Sequence, residues 1–281
     1  MVVAVTGASG FIGRHVLAEL RGKRVDVVAV TRDAARLKEA SSGIRVVEMD
    51  LAVPEPDSFV RMGCPDVLIH LAWDGLPNYK SPYHVDAELP KQYGFLHSLV
   101  ASGLGSLLVS GTCFEYGMHS GVLAEEITPC PNTSYGRAKD TLRRQLEILK
   151  SDNPFYLTWC RLFYMYGEGQ SATSLYSQLR DAVRRGDAVF NMSGGEQSRD
   201  YLSVTDVARG LVDLALSARD LGIVNICSGK PISVRDLVEQ WLVANGWKIE
   251  LNLGYYPYPD YEPMAFWGDA TKFREVYSLG K

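Results

Sequence analysis

The sequence predicts an α/β chain: a doubly wound parallel sheet with a small C-terminal lobe. Three observations predict it. An apolar β-branched strand, Val2-Val3-Ala4-Val5, runs directly into glycines spaced G-x-x-G-x-x-G at Gly7, Gly10 and Gly13, and a helical apolar pattern (Val16, Leu17, Leu20) follows. Further short apolar runs recur at Val25–Val30, Arg45–Met49, Asp66–Leu71 and Leu107–Ser110, with helical segments between several of them. Runs that are apolar on both faces, rather than alternating, belong to strands covered by helices on each side. At 281 residues the chain suffices for one large domain with a smaller lobe.

The first strand, turn and helix form the Rossmann-type context of a dinucleotide site. Gly7 permits the tight turn, Gly10 lets the backbone approach a pyrophosphate, and Gly13 lets the helix pack on the strand. Ser9, Phe11 and Ile12 lie on the same turn, whose free N–H groups would face phosphate.

The second strand ends at Thr31-Arg32-Asp33. An acid at this strand end would hold the ribose 2′-hydroxyl of NAD, and an arginine accommodates the 2′-phosphate of NADP. Thr31 stands at the strand end and Arg32 follows, so NADP(H) is the preferred cofactor and NAD(H) the second choice, with Asp33 as the ribose ligand in that case. At the end of the third strand, Asp50, with Leu51 beside it, either accepts from the adenine amino group or caps the next turn. After the fourth strand, Leu71, Ala72 and Trp73 border the cofactor, small Ala72 leaving backbone room. His70, inside an apolar strand, reads as a packed histidine. The aromatic, proline-broken loop Asp74–His84 lies at the carboxyl edge of the sheet, where ligands bind in such folds.

After the fifth strand comes Gly111-Thr112-Cys113-Phe114-Glu115-Tyr116-Gly117, and then a helix that opens with Tyr135-Gly136-Arg137-Ala138-Lys139. Tyr135 and Lys139 are i and i+4, on one helix face. A tyrosine alone is a poor acid–base at neutral pH. An ammonium beside it would favour phenolate and bring it toward working range, while the Thr112 hydroxyl would hold the same substrate oxygen.

These segments resemble the extended short-chain dehydrogenase/reductase family, in particular its nucleotide-sugar epimerase/dehydratase/reductase group. The resemblance continues through Arg161-Leu162-Phe163-Tyr164-Met165-Tyr166-Gly167, Gly194–Ala208 and Asn225-Ile226-Cys227-Ser228-Gly229. It implies Thr112, Tyr135 and Lys139 as catalytic residues, and a nucleotide-diphosphate sugar as substrate. Tyr164 and Arg199 are implied as substrate-binding, Arg199 either clamping diphosphate or pairing with Asp200. A homodimer through the helices Leu89–Ser102 and Lys139–Leu149 is also implied. The departures narrow the reaction. The group's 4,6-dehydratases carry Asp-Glu after the threonine; here Cys113-Phe114 supply neither acid nor base, so dehydration loses its means. The asparagine of R-x-x-N is Tyr164, and the usual Gly-Trp-x-Pro ending is absent, which leaves the last helix short or missing.

The sequence thus points to NADP-dependent reduction of the C4 ketone of a nucleotide-diphosphate 4-keto-6-deoxyhexose. An NAD-dependent sugar 4-epimerase is the rival enzyme, and a non-catalytic dinucleotide sensor the rival of another class. The dinucleotide domain is expected over 1–166, with 199–230 returning to it, and the substrate lobe over the rest of 167–281. Composition adds limits. A net charge of −4 offers nothing for nucleic acid. No apolar run is long enough for a membrane span and no signal segment precedes the first strand, so a cytoplasmic location is expected. The five scattered cysteines have no metal-ligand spacing, so no metal is expected.

Overall fold

The computed structural model describes residues 1–37, 43–53 and 56–278. The first half alternates strand and helix: β1 (Val2–Thr6), α1 (Phe11–Leu20), β2 (Asp26–Thr31), β3 (Arg45–Glu48), α2 (Ser58–Arg61), β4 (Val67–His70), α3 (Leu89–Ala101), β5 (Ser106–Thr112), β6 (Gly121–Leu123), α4 (Ser134–Asp152) and β7 (Tyr156–Leu162). The second half comprises β8 (Tyr164–Tyr166), α5 (Leu175–Arg185), β9 (Val189–Asn191), β10 (Ser198–Ser203), α6 (Val204–Leu216), β11 (Gly222–Ile226), β12 (Pro231–Ser233), α7 (Val234–Asn245), β13 (Glu250–Asn252), β14 (Phe266–Gly268) and α8 (Thr271–Ser278).

Seven strands form one sheet in the order β11-β7-β5-β4-β1-β2-β3, and every pair in it is parallel. The chain winds outward from β1 through β2 to β3, then crosses back to β4 and winds the other way. The crevice at the carboxyl ends of β1 and β4 is therefore the switch point at which such sheets bind ligands. Side chains alternate between two cores. Val3 and Val5 pack with Val16, Leu17 and Leu20 of α1 and with Val207 and Leu211 of α6, whereas Ala4 packs with Leu96 and Leu99 of α3 and Leu142 and Leu146 of α4. Burial on both faces explains why these strands read as continuous apolar runs.

The lobe has its own core, where Leu179 and Ala182 of α5 meet Phe190 of β9 and Leu237, Val238 and Trp241 of α7. Helix α5 starts at Leu175, where the Ser174 hydroxyl caps it by accepting from the Ser177 N–H at 3.3 Å. Helix α6 packs in the same core as α1, and β11 is the edge strand of the seven-stranded sheet, while β10 pairs with β8 and β12 in a separate small sheet. Helix α8 is present, and its Phe273 packs in the dinucleotide core rather than in the lobe. Among the described residues no helix is long and apolar enough to cross a membrane.

Candidate active site

Ten of the residues expected at a cofactor line one groove over the switch point: Gly7, Ser9, Gly10, Thr31, Arg32, Asp50, Leu51, Leu71, Ala72 and Trp73. Phe11, Ile12 and Gly13 form the first turn of α1. The glycines are needed where they stand. A Cβ on Gly7 would lie 2.8 Å from the Ala72 nitrogen, and one on Gly13 would lie 2.3 Å from the Gly7 carbonyl oxygen. Helix α1 begins at Gly10 with no side chain capping it. A helix N-terminus with no side-chain cap suits a pyrophosphate. The residues present fit a dinucleotide.

Other members of the groove hold one another. Thr31 donates to the Ser9 hydroxyl at 3.0 Å and so fixes the turn from beneath. Asp50 lines the groove and also caps the next turn, accepting from the Ala52 N–H at 2.9 Å. Asp33 lines the groove as well, with one carboxylate oxygen accepting from the Ala35 N–H at 2.9 Å. Arg32 makes a bidentate pair with Asp74 at 2.9 and 3.0 Å.

Strand β5 and helix α4 bring Thr112, Tyr135 and Lys139 together, all three nearly buried. Thr133 caps α4 by accepting from the Gly136 N–H at 3.1 Å, which sets the helix start and hence the face that Tyr135 and Lys139 share. Burial pushes the Tyr135 phenol well above its ordinary range; the Thr112 hydroxyl facing it works in the opposite direction. The Lys139 amine donates to the Ser110 carbonyl at 2.8 Å. It lies 3.9 Å from the Trp73 ring centre but 5.9 Å from that of Tyr135. Burial pulls its pKa down to about 7, against the attraction of Glu115 and Glu88. The ammonium is thus directed at an indole and a carbonyl rather than at the phenol ring.

Glu115 was not singled out from the sequence, yet it organises this corner. It is fully buried. Its carboxylate accepts from the Thr112 N–H (2.9 Å), the Trp159 indole N–H (2.9 Å) and the Arg161 guanidinium (2.7 Å). The signal was available, since Thr112-x-x-Glu115 is a capping box. Gly111 belongs to the same unit, because a Cβ there would lie 2.2 Å from the Trp159 indole nitrogen. Arg161, from the R-x-x-N-like strand, stacks on Tyr116 with 4.4 Å between guanidinium carbon and ring centre.

On the substrate side, aromatic rings wall the site. Tyr79 lies 5.6 Å from Tyr135 and 4.8 Å from Phe114, and Tyr261 of the C-terminal loop lies 5.9 Å from Tyr79. Neither tyrosine was named from the sequence, although Tyr79 falls in the loop Asp74–His84 expected at the ligand edge of the sheet. Arg199 has a partner that neither expectation named. Its guanidinium holds Glu262 at 2.9 and 3.0 Å and donates to the carbonyls of Ser198 and Met264. Tyr164 donates to the same Glu262. Asp200, by contrast, accepts from the N–H groups of Ser228 and Gly229. Cys113 is buried, and burial pushes its thiol up, so it is an inert packed residue. His70 is buried and meets the Thr6 hydroxyl at 2.8 Å.

Several known proteins are similar to this chain over nearly its whole length. A dTDP-6-deoxy-L-talose 4-dehydrogenase (NAD(+)) of Aggregatibacter actinomycetemcomitans is 31% identical over 95% of this chain and 99% of its own. UDP-arabinose 4-epimerase 1 of Arabidopsis thaliana is 24% identical over 97% of this chain and 74% of its own. The solved structure of MoeE5 in complex with UDP-glucuronic acid and NAD superposes with a TM-score of 0.83 at 28% identity, covering 99% of this chain and 93% of that one. The NAD dependent epimerase/dehydratase family matches residues 3–227, and the chain belongs to that family.

Proposed function

We propose that the protein interconverts the C4 ketone and C4 alcohol of a nucleotide-diphosphate 6-deoxyhexose, acting as a sugar-nucleotide 4-ketoreductase. The observation that carries this is the buried set Thr112, Tyr135 and Lys139 beside an uncapped glycine turn, with Cys113 and Phe114 in place of the acid and base that dehydration needs. A nicotinamide, when bound, supplies or accepts the hydride. The chain does the rest. Thr112 holds the C4 oxygen, Tyr135 donates the proton that this oxygen needs on reduction, and Lys139 binds ribose and keeps positive charge near the phenol. The ring wall of Tyr79, Phe114 and Tyr261 offers an apolar face, which suits a C6 methyl better than a hydroxymethyl group. A relative named for 4-dehydrogenation of a 6-deoxytalose nucleotide supports the same reaction class.

For the cofactor, the reading from Arg32 alone favoured NADPH. The ion pair with Asp74 removes that reason, since Arg32 already holds a carboxylate, and the relative's name specifies NAD(+). We take NAD(H) as the working cofactor. Tyr164 and Arg199 contribute through Glu262, as the floor of the substrate site rather than as a direct diphosphate clamp. The homodimer through α3 and α4 belongs to the same proposal.

The test is nicotinamide absorbance during incubation with dTDP-4-keto-6-deoxyglucose and NADH or NADPH. Oxidation of either cofactor, with a 4-hydroxy product, supports the reductase. With the corresponding 4-hydroxy nucleotide sugar as substrate, formation of its C4 epimer with no net change in absorbance would replace it with the 4-epimerase, whose catalytic residues would be the same. Neither product nor oxidation with any 4-keto-6-deoxy nucleotide sugar would refute it.

A further inference from the structure

Neighbouring strands lie roughly 4.8 Å apart, so the ends of β2 and β4, with β1 between them, stand about 10 Å apart across the groove. Two side chains close that distance. Arg32, just past β2, and Asp74, past β4, meet in a bidentate pair at 2.9 and 3.0 Å. Both line the groove. The Asp74 carboxylate also accepts from Lys91 of α3 at 3.1 Å, and Lys91 lines the groove too. Asp74 is fixed in place, because its backbone N–H donates at 2.9 Å to Glu88, a fully buried carboxylate. One carboxylate thus neutralises two cations at the rim where the adenosine ribose would lie.

We infer that Asp74 sets the dinucleotide preference, by competing with a ribose 2′-phosphate for Arg32. The inference rests on the dinucleotide reading of the groove. A 2′-phosphate arriving at Arg32 must displace a carboxylate that already makes two charge-assisted hydrogen bonds, and it must then sit beside that displaced negative charge. A 2′-hydroxyl meets neither obstacle. The discriminating charge therefore comes from the loop after β4, opposite the strand end where such discrimination is usually sought. Asp74 acts through Arg32, and removing its charge leaves Arg32 without its carboxylate while Lys91 stays paired with Glu88.

The experiment is calorimetric binding of NAD+ and of NADP+, without sugar, to the wild type, Asp74→Asn and Asp74→Asn/Arg32→Ala. Asp74→Asn is expected to move the affinity ratio toward NADP+ by about tenfold, the worth of one charge-assisted hydrogen-bonded contact. Adding Arg32→Ala is expected to abolish that gain, which identifies Arg32 as the acceptor of the phosphate. Raising the salt concentration is expected to shrink the gain, as for any exposed charge pair. A ratio that moves by less than threefold in Asp74→Asn, or a gain that survives loss of Arg32, overturns the inference. If none of the three proteins binds either dinucleotide, the reading of the groove fails and the inference falls with it.

Discussion

Replacing Glu115 by glutamine tests whether the corner beneath Thr112 is held by charge. The side chain is fully buried, and so is Arg161. Three donors converge on the carboxylate: the Thr112 N–H, the Trp159 indole N–H and the Arg161 guanidinium, at 2.7–2.9 Å. Glutamine keeps the shape but has one acceptor oxygen and an NH2 group, which would face donors, and it leaves the Arg161 charge uncompensated. Breaking one partner of a buried ion pair costs about 3–5 kcal/mol. At about 2 °C per kcal/mol for a chain of this size, the melting temperature should fall by roughly 6–10 °C. Thermal and urea unfolding followed by tryptophan fluorescence would measure this for Glu115→Gln, Arg161→Met and the double variant. The double variant should cost less than the sum of the singles by about 1 kcal/mol or more, because it removes the stranded charge. A Glu115→Gln protein melting within 2 °C of wild type, or singles that add to within about 0.5 kcal/mol, would refute the reasoning.

Tyr135→Phe should lower kcat by about 10²–10⁴, the usual worth of a positioned proton donor, while NAD+ binding measured by calorimetry stays within a few-fold; unchanged turnover would remove Tyr135 from the reaction. Gly111→Ala places a methyl 2.2 Å from the Trp159 indole nitrogen, an overpacking that should cost about 1–3 kcal/mol in urea unfolding; a neutral result would mean that Trp159 is free to move. His70 gives a pH dependence. Burial, then repulsion from Lys139 and Lys91, lowers its pKa to about 3, with Gln92 pulling the other way. The unfolded chain takes up this proton near pH 6.5 and the folded one does not. Stability from this group is therefore intact above pH 6.5 and lost as pH falls toward 3, about 2 kcal/mol of it by pH 5. Unfolding free energies of wild type and His70→Asn, measured between pH 5 and 7.5, should show the steeper acid loss in wild type; parallel curves would contradict it.

What the sequence made legible was encoded locally. The strands could be read because burial on both faces leaves an unbroken apolar run, and the turn at Gly7, Gly10 and Gly13 because close backbone contacts admit no Cβ. Tyr135 and Lys139 could be placed because they share one capped helix. The charge pairs could not be read in this way. Arg32 and Asp74, Glu115 and Arg161, Arg199 and Glu262 are 42, 46 and 63 residues apart, and nothing in either neighbourhood names the other. Arg199 shows the cost of reasoning by adjacency. Asp200 is next to it, but successive residues of a strand point to opposite faces, so in β10 they could not pair. Asp200 instead gathers backbone N–H groups from the β11–β12 turn. The environment of Lys139 was hidden for a related reason, since Trp73 reaches it from the loop after β4.

The placement of these pairs bears on whether the chain is a catalyst or only a dinucleotide binder. Three carboxylates with little or no exposure surround the site, each held by a cation: Glu88 by Lys91, Glu115 by Arg161 and Glu262 by Arg199. A buried ion pair adds little stability over a well-packed apolar replacement, and often less than none. Such pairs therefore cannot be explained as a means of holding the fold together. What they do is fix position. Glu88 fixes Asp74 at the rim of the groove, Glu115 fixes the backbone of Thr112, and Glu262 fixes Tyr164 and Arg199 against the aromatic wall. A binder of dinucleotide alone needs the first of these. It has no need of a rigid threonine facing a buried phenol, or of an organised floor on the far side of that phenol. Catalysis needs both, because a proton donor and an oxygen-holding hydroxyl must be set to within a fraction of an ångström of the reacting atoms. The second and third pairs are thus the argument against the sensor.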